Sequence, residues 1–340
     1  MIKLKELTKE DKLFFFERSW VTLDGLWFLE IENETDWDTA LKIDKIVWIR
    51  LLKTILRRMQ RYLKMDTLSP ANIIKILSLR WSIEGWDYKI LKSEENEVEI
   101  GIITCPYKEA MNRNPERVNK ISLICKNMCL PFYKEVIEDI NPKVSFEITK
   151  SQGLGDNYCN FKFTFKDNLS QKDDELIKKE VTLEDRLFYF ENHWFTMDGL
   201  WMVETENELG KKLALKIDIV VWQRLYQTIF RRLKRYLSIK ENSIKDLIKI
   251  LEFAWSCEGY NYEIKKEEQT DAILNIKTCP YKSMMDRNPD RHDRIEAICK
   301  DMCIPFYEPA IEDFNPNIVL ERKQFLGVGD SVCDYHFKLK

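Results

Sequence analysis

The sequence predicts an α+β protein: two tandem copies of a helical domain with a small antiparallel sheet, packed as a pseudo-dimer. Three observations carry this prediction. Shifted by 174 positions, the chain overlays itself without a gap from Lys5/Lys179 to Lys166/Lys340, and about half the positions are identical. In each copy, long stretches that are apolar at helical spacing are followed by short runs that alternate apolar and polar residues. Only 10 glycines and 10 prolines interrupt 340 residues, which suits long helices. The first repeat is read as residues 1–166, a polar exposed linker as 167–178, and the second repeat as 179–340.

One copy serves for both. Asp11 to Asn33 places Phe14, Leu23, Trp27 and Phe28 at helical spacing, and Thr39 to Leu63 is a second amphipathic helix. Ser69-Pro70 opens a third, with serine as cap and proline in the first turn, and Gly85 closes it. Trp86 to Leu91 and Glu97 to Thr104 alternate around a polar turn as a hairpin. Cys105-Pro106, Asn114-Pro115 and Pro131 each open a further helix, and Asn141-Pro142 ends the last. Val144 to Thr149 and Cys159 to Phe165 form a second hairpin, around a Gly-Leu-Gly-Asp turn at 153–156 that is too short for a phosphate cradle.

Composition narrows the function. The 44% hydrophobic and 12% aromatic content rules out a disordered or collagen-like chain. Lysine plus arginine number 54 against 57 acidic residues, a net charge of −3, so no global field draws the chain to nucleic acid. The opening MIKLKELTKEDKLFFFERSW has no apolar run before a small-residue cleavage site, and no stretch approaches about 18 uncharged apolar residues. No membrane partner and a reducing, cytoplasmic home are therefore expected. There, nine cysteines read as metal ligands, reactive thiols or buried hydrophobes rather than disulfides.

Eight of those cysteines repeat. Cys105, Cys125, Cys129 and Cys159 recur as Cys279, Cys299, Cys303 and Cys333, in the pattern C-P-x18-C-x3-C-x29-C; Cys257 matches Ile83 and is assigned to packing. Cys125 and Cys129 are four apart and share a helix face. Cys105 starts a helix, where the dipole lowers a thiol pKa. If both hairpins share one sheet, Cys159 lies beside Cys105, and four thiolates converge on zinc or an iron–sulfur cluster. A nucleophilic Cys105/Cys279 and plain core packing are the competing readings.

Carboxylates on aromatic helix stripes are the acid–base candidates. Asp24 falls between Trp20 and Trp27, Asp44 precedes Trp48, and Glu84 follows Trp81; their twins are Asp198, Asp218 and Glu258. Burial would raise their pKa values for proton transfer. The alternative is pairing with Arg57, Arg58 or Arg61, or loop capping. Those arginines and Arg231, Arg232 and Arg235 could also hold phosphate, although a salt-bridged helix face is the simpler reading. His193, His292 and His336 match Ser19, Val118 and Lys162, so no mechanism common to both repeats uses histidine.

The endings GLGDNYCNFKF and GVGDSVCDYHF resemble the G-D-x-x-C-[DN]-F close of the L-2-amino-thiazoline-4-carboxylate hydrolase family. The order of features is similar too: a helical start, Cys-Pro after a strand, a cysteine in a middle helix and a final cysteine-bearing strand. DGLWF at 24–28 and IDKIVW at 43–48 resemble an uncharacterised bacterial and archaeal branch of that group. The resemblance implies a cytosolic enzyme opening a cyclic C–N bond, with Gly155, Asp156 and Cys159, and Gly329, Asp330 and Cys333, at matching positions. The closing strand is also similar, at the level of fold, to vinyl-reductase-type and transport-particle ligand-binding domains. The expected protein is thus a cytosolic metalloprotein, a four-cysteine zinc or iron–sulfur site in each repeat, with hydrolase-like activity on a small molecule. The alternative is a non-enzymatic binding or sensor module with buried cysteines. The intrachain pseudo-dimer would let the chain be monomeric.

Overall fold

The computed structural model describes residues 7–166, 176–177 and 180–340. Most of the expected linker lies outside the described residues; within it, Leu176 is fully buried.

Helix α1, Lys9–Glu34, opens on a reciprocal cap: Thr8 N–H donates to Asp11 Oδ2 at 2.9 Å and Asp11 N–H to Thr8 Oγ1 at 3.1 Å. Helix α2, Trp37–Tyr62, is capped by Asp36, which accepts the Thr39 N–H at 2.8 Å. Helix α3, Pro70–Glu84, starts at Ser69-Pro70 and ends at left-handed Gly85, as its sequence signals require. Strands β1, Asp87–Glu94, and β2, Glu97–Thr104, follow, then α4, Pro106–Asn112. The Asn114-Pro115 segment begins as turns rather than a helix. Helix α5, Ile121–Ile124, then runs through a π-helical turn at Cys125–Cys129 straight into α6, Leu130–Ile140. Pro131 sits in the first turn of α6, as its sequence signal requires, immediately after the wide turn. Strands β3, Val144–Lys150, and β4, Cys159–Phe165, complete an antiparallel sheet of order β1-β2-β4-β3.

The second copy repeats the plan. Helices α7 (Leu183–Leu209), α8 (Lys211–Tyr236) and α9 (Ile244–Glu258) precede β5, Asn261–Glu267, and β6, Asp271–Thr278. Then come α10 (Pro280–Asp286), α11 (His292–Ala297), a π-helical turn at Ile298–Met302, α12 (Cys303–Phe314), β7 (Ile318–Glu321) and β8 (Cys333–Leu339), in sheet order β5-β6-β8-β7. Strand β7 is shorter than β3. Asp334 accepts the Lys323 and Gln324 N–H groups at 2.8 and 2.6 Å, taking donors that would extend the ladder. Among the described residues, no helix is long and apolar enough to cross a membrane.

The packing units are not the sequence repeats. One compact unit is Thr35–Glu208; the other combines Met1–Glu34 with Leu209–Lys340. They are called here the Cys105 unit and the Cys279 unit. Helix α7 therefore packs with the first repeat's body, and α1 with the second's. In the Cys105 unit, Arg50 binds Glu204, Tyr62 Oη donates to Asp185 at 3.0 Å, and Tyr62 stacks on Phe188 at 4.0 Å. In the Cys279 unit, the equivalents are Arg224 with Glu30, Tyr236 with Asp11 at 2.7 Å, and Tyr236 stacked on Phe14 at 4.0 Å. Each core closes on tryptophans from both repeats: Trp81 with Trp194 and Trp201, and Trp255 with Trp20 and Trp27, all fully buried.

The helix arginines have this same task. Arg58 Nη1 donates to Thr196 Oγ1 at 2.8 Å and to the Asn192 carbonyl. Arg232 donates to Thr22 Oγ1 at 3.0 Å and to the Arg18 carbonyl. These two bind the exchanged helix, and neither a phosphate nor a surface ion pair explains them.

Candidate functional site

The exchange re-sorts the candidate residues. The Cys105 unit contains Asp44, Glu84, Asp156 and Asp198 with Cys105, Cys125, Cys129 and Cys159. The Cys279 unit contains Asp24, Asp218, Glu258 and Asp330 with Cys279, Cys299, Cys303 and Cys333. Asp24 and Asp198 thus lie in the unit opposite to their own repeat's cysteines.

The hairpins share one sheet, as the cysteine argument required: Ile102 on β2 pairs with Cys159 on β4, three residues before Cys105. The thiols are close enough to act on one another electrostatically, yet Cys125, Cys159 and their twins are each directed to a local partner. Gln152 N–H donates to Cys159 Sγ at 3.3 Å, and Leu326 N–H to Cys333 Sγ at 3.2 Å. Cys125 lies against Gly153, and Cys299 against Gly327, so closely that a Cβ there would overlap the sulfur. Gly155 and Gly329 serve a different need, the left-handed turn that follows (φ 105° and 100°). Asp156 and Asp330 close the loop by accepting the Ser151 and Phe325 N–H groups at 2.8 and 2.7 Å, a structural use of those carboxylates. Among the described residues, no group of three or more histidine, cysteine, aspartate or glutamate side chains is placed to hold a metal ion. The zinc or iron–sulfur ligand set expected from sequence, Cys105, Cys125, Cys129 and Cys159 with its twin Cys279, Cys299, Cys303 and Cys333, is therefore not supported by the arrangement of these side chains.

The activated Cys105 and Cys279 are corrected as well. Desolvation pushes each thiol up to about 12, although backbone N–H groups of α4 and α10 pull the other way. A seven-residue helix offers too little dipole to overcome loss of water. Desolvation also raises Cys125, Cys129, Cys159 and Cys333, and takes Cys299 to about 12.

Beside the thiols of the Cys105 unit lies a buried polar network. Arg80, 1% exposed, donates through Nε to Glu84 Oε1 at 3.0 Å and through Nη1 to Tyr133 Oη at 3.0 Å. Trp81 Nε1 also donates to Tyr133 Oη, at 2.9 Å. Tyr189 Oη donates to Glu84 Oε1, and Trp86 Nε1 to Glu84 Oε2 at 3.1 Å. Burial alone would lower the Arg80 pKa, but the Glu84 carboxylate raises it well above normal. Glu84 thus pairs with Arg80, rather than with the helix arginines considered from sequence. Asp44 and Asp218 are buried on α2 and α8, while Asp24 and Asp198 are partly exposed. Sequence reasoning missed Arg80, although an arginine inside the apolar run IIKILSLRW was a signal.

The Cys279 unit builds the same region differently. Ala254 replaces Arg80, and Tyr226 replaces Leu52. Tyr226 Oη now meets Tyr307 Oη at 2.9 Å, and Trp255 Nε1 donates to Tyr307 Oη at 3.0 Å. Tyr281 Oη donates to Glu258 Oε1 at 2.7 Å.

His193 adds a testable pH dependence. It is fully buried on α7, its Nδ1 is 2.7 Å from the Tyr189 carbonyl, and desolvation, aided by Arg58 and Arg80, lowers its pKa to about 3. An unfolded histidine titrates near 6.5, so between about pH 6.5 and 3 the unfolded chain binds the extra proton. Stability from this group is present above 6.5 and falls by about 1.4 kcal/mol per pH unit below it. Glu252, pushed up to about 7 by desolvation and Glu267, has the opposite sign in the Cys279 unit, so a variant comparison is needed. His193→Asn keeps a donor near the Tyr189 carbonyl but cannot titrate. Relative to wild type it should gain about 2 kcal/mol of stability between pH 6.5 and 5, read from urea midpoints. Parallel midpoints for the two proteins would refute the assignment.

Each packing unit is therefore α+β, with its cysteines beside a buried aromatic and polar network. Residues 19–163 match the family described as L-2-amino-thiazoline-4-carboxylic acid hydrolase, and residues 175–312 match a family of unknown function (DUF6125). The second region is not clearly a copy of the same family, although the two halves overlay in sequence. No curated protein and no solved structure matches the chain.

Proposed function

We propose that the chain is a hydrolase that opens a C–N bond in a small cyclic substrate, with its chemistry in the Cys105 unit. The observation that carries this is the hydrolase-family match over residues 19–163, which covers α2 to β4 of that unit. Hydrolysis needs a proton acceptor for water and donors for the charge that develops on the substrate. Asp44, buried one helical turn before Trp48, is the favoured acceptor. Incubation with L-2-amino-thiazoline-4-carboxylate, followed by chromatography, should show ring opening. Asp44→Asn should lower kcat about 100-fold or more with folding intact.

One observation favours the second reading, a non-enzymatic binding module: the Arg80–Glu84–Tyr133 network is internally satisfied. Saturable binding of the thiazoline without turnover would select that reading. Stoichiometric zinc or iron on the purified chain would instead support the four-thiol metal reading.

A further inference from the structure

Comparison of the repeats isolates one thiol. Cys129 and Cys303 are twins, but their surroundings differ: Arg80, which lies near Cys129 and is paired with Glu84, becomes Ala254, and two further positions change as well. Ile148 becomes Arg322, and Phe161 becomes Tyr335. Both replacements place a polar group at the same sulfur. Tyr335 Oη lies 3.1 Å from Cys303 Sγ. The Arg322 guanidinium stacks over the Tyr335 ring at 4.3 Å and the Phe325 ring at 4.5 Å. Those rings cover its faces. Its Nε, Nη1 and Nη2 are buried, and none has a nitrogen or oxygen partner. The nearby carboxylates are used elsewhere: Glu321 by Lys338, Asp330 by the Phe325 N–H, and Asp334 by the Lys323 and Gln324 N–H groups. The groups that Arg322 does feel are Tyr335 and the Cys303 and Cys333 sulfurs.

A buried cation without an acceptor is costly, and negative charge on a neighbouring sulfur relieves it. Tyr335 is placed to donate to the same atom. Cys303 is also only partly buried, so a small reagent can reach it. We propose that Cys303 is a nucleophilic thiol for small electrophiles, with Arg322 and Tyr335 stabilising negative charge on its sulfur as it attacks. This site lies in the Cys279 unit and does not depend on the hydrolase reading. Cys129, beside Ile148 and Phe161, lacks both supports, and the one guanidinium near it, Arg80, is already neutralised by Glu84.

Iodoacetamide is the probe. The Cys303 sulfur forms the new S–C bond, the C–I bond breaks, iodide leaves with the electron pair, and the thiol proton passes to solvent. On the folded full-length chain at neutral pH and limiting reagent, peptide mapping should find carboxamidomethyl on Cys303 first. Cys105, Cys129 and Cys279 should remain unmodified until the chain is unfolded. Tyr335→Phe removes only a hydroxyl and should slow Cys303 labelling about tenfold or more, as should Arg322→Ile, while Arg322→Lys should retain most of the rate. Equal labelling of Cys129 and Cys303, or a rate in Tyr335→Phe within twofold of wild type, overturns the proposal.

Discussion

A fragment spanning residues 35–208 should fold as a cooperative monomer, whereas residues 1–166, a whole sequence repeat, should not. The reason is the exchange of α1 and α7. The 35–208 fragment contains α7, which buries Tyr189, Phe190, Trp194, Met197 and Trp201 against the first repeat's body. Each large apolar side chain buried contributes about 1.5–3 kcal/mol, so losing this set of five removes an amount comparable to the whole net stability of an ordinary domain, about 5–15 kcal/mol. The 1–166 fragment has α1 in place of α7. Because Asp11, Phe14 and Glu30 match Asp185, Phe188 and Glu204, that helix can satisfy the same partners, in the same copy or in a second one. Reciprocal exchange between two copies is the expected outcome, a dimer or larger species on size exclusion. Circular dichroism and urea unfolding of both fragments decide the matter. A monomeric 1–166 fragment as stable as 35–208 would contradict it.

Removing the Glu84 carboxylate should destabilise the Cys105 unit by about 3–5 kcal/mol, because Arg80 would remain as a buried, unpaired charge. Both side chains are almost fully buried, so solvent screening does not soften the loss. Glu84→Ala should lower the urea midpoint of that unit sharply. The second repeat supplies a compensating design. It carries Ala254 and Tyr226 where the first has Arg80 and Leu52. Arg80→Ala alone leaves Tyr133 without its guanidinium donor, and adding Leu52→Tyr should restore part of the stability, as Tyr226 does for Tyr307. A double-mutant cycle at positions 52 and 80 measures that coupling. Simple additivity there, or a loss below about 1 kcal/mol for Glu84→Ala, would mean the network is not closed as described.

Much of the local structure was legible because its causes are local. Ser69-Pro70 and Gly85 bracket α3, and the alternating runs became β1 to β4. The wide turn at Cys125–Cys129 was not legible, since no residue type specifies an extra residue in a turn. The candidate site was read in part. The pairing of β2 with β4 does bring Cys159 close to Cys105, but among the described residues no metal-holding group forms from the cysteines. Gly153 was read as a turn glycine, and the structure adds that it makes room for the Cys125 sulfur. Arg322 and Tyr335 emerge only when the two repeats are compared in space, where both differences fall on one atom.

By itself, the sequence determined that the chain is one α+β plan written twice, with its helix caps, its hairpins and its two sets of four cysteines. Only the tertiary structure decided which copy of the first helix completes which unit. The choice is invisible in sequence because Arg50 and Arg224, Tyr62 and Tyr236, and Glu30 and Glu204 are identical pairs, so own and exchanged packing offer the same side-chain contacts. Thr35 and Asp36 alone join α1 to α2, and Gly210 alone joins α7 to α8, and the chain passes from one unit to the other at these two links.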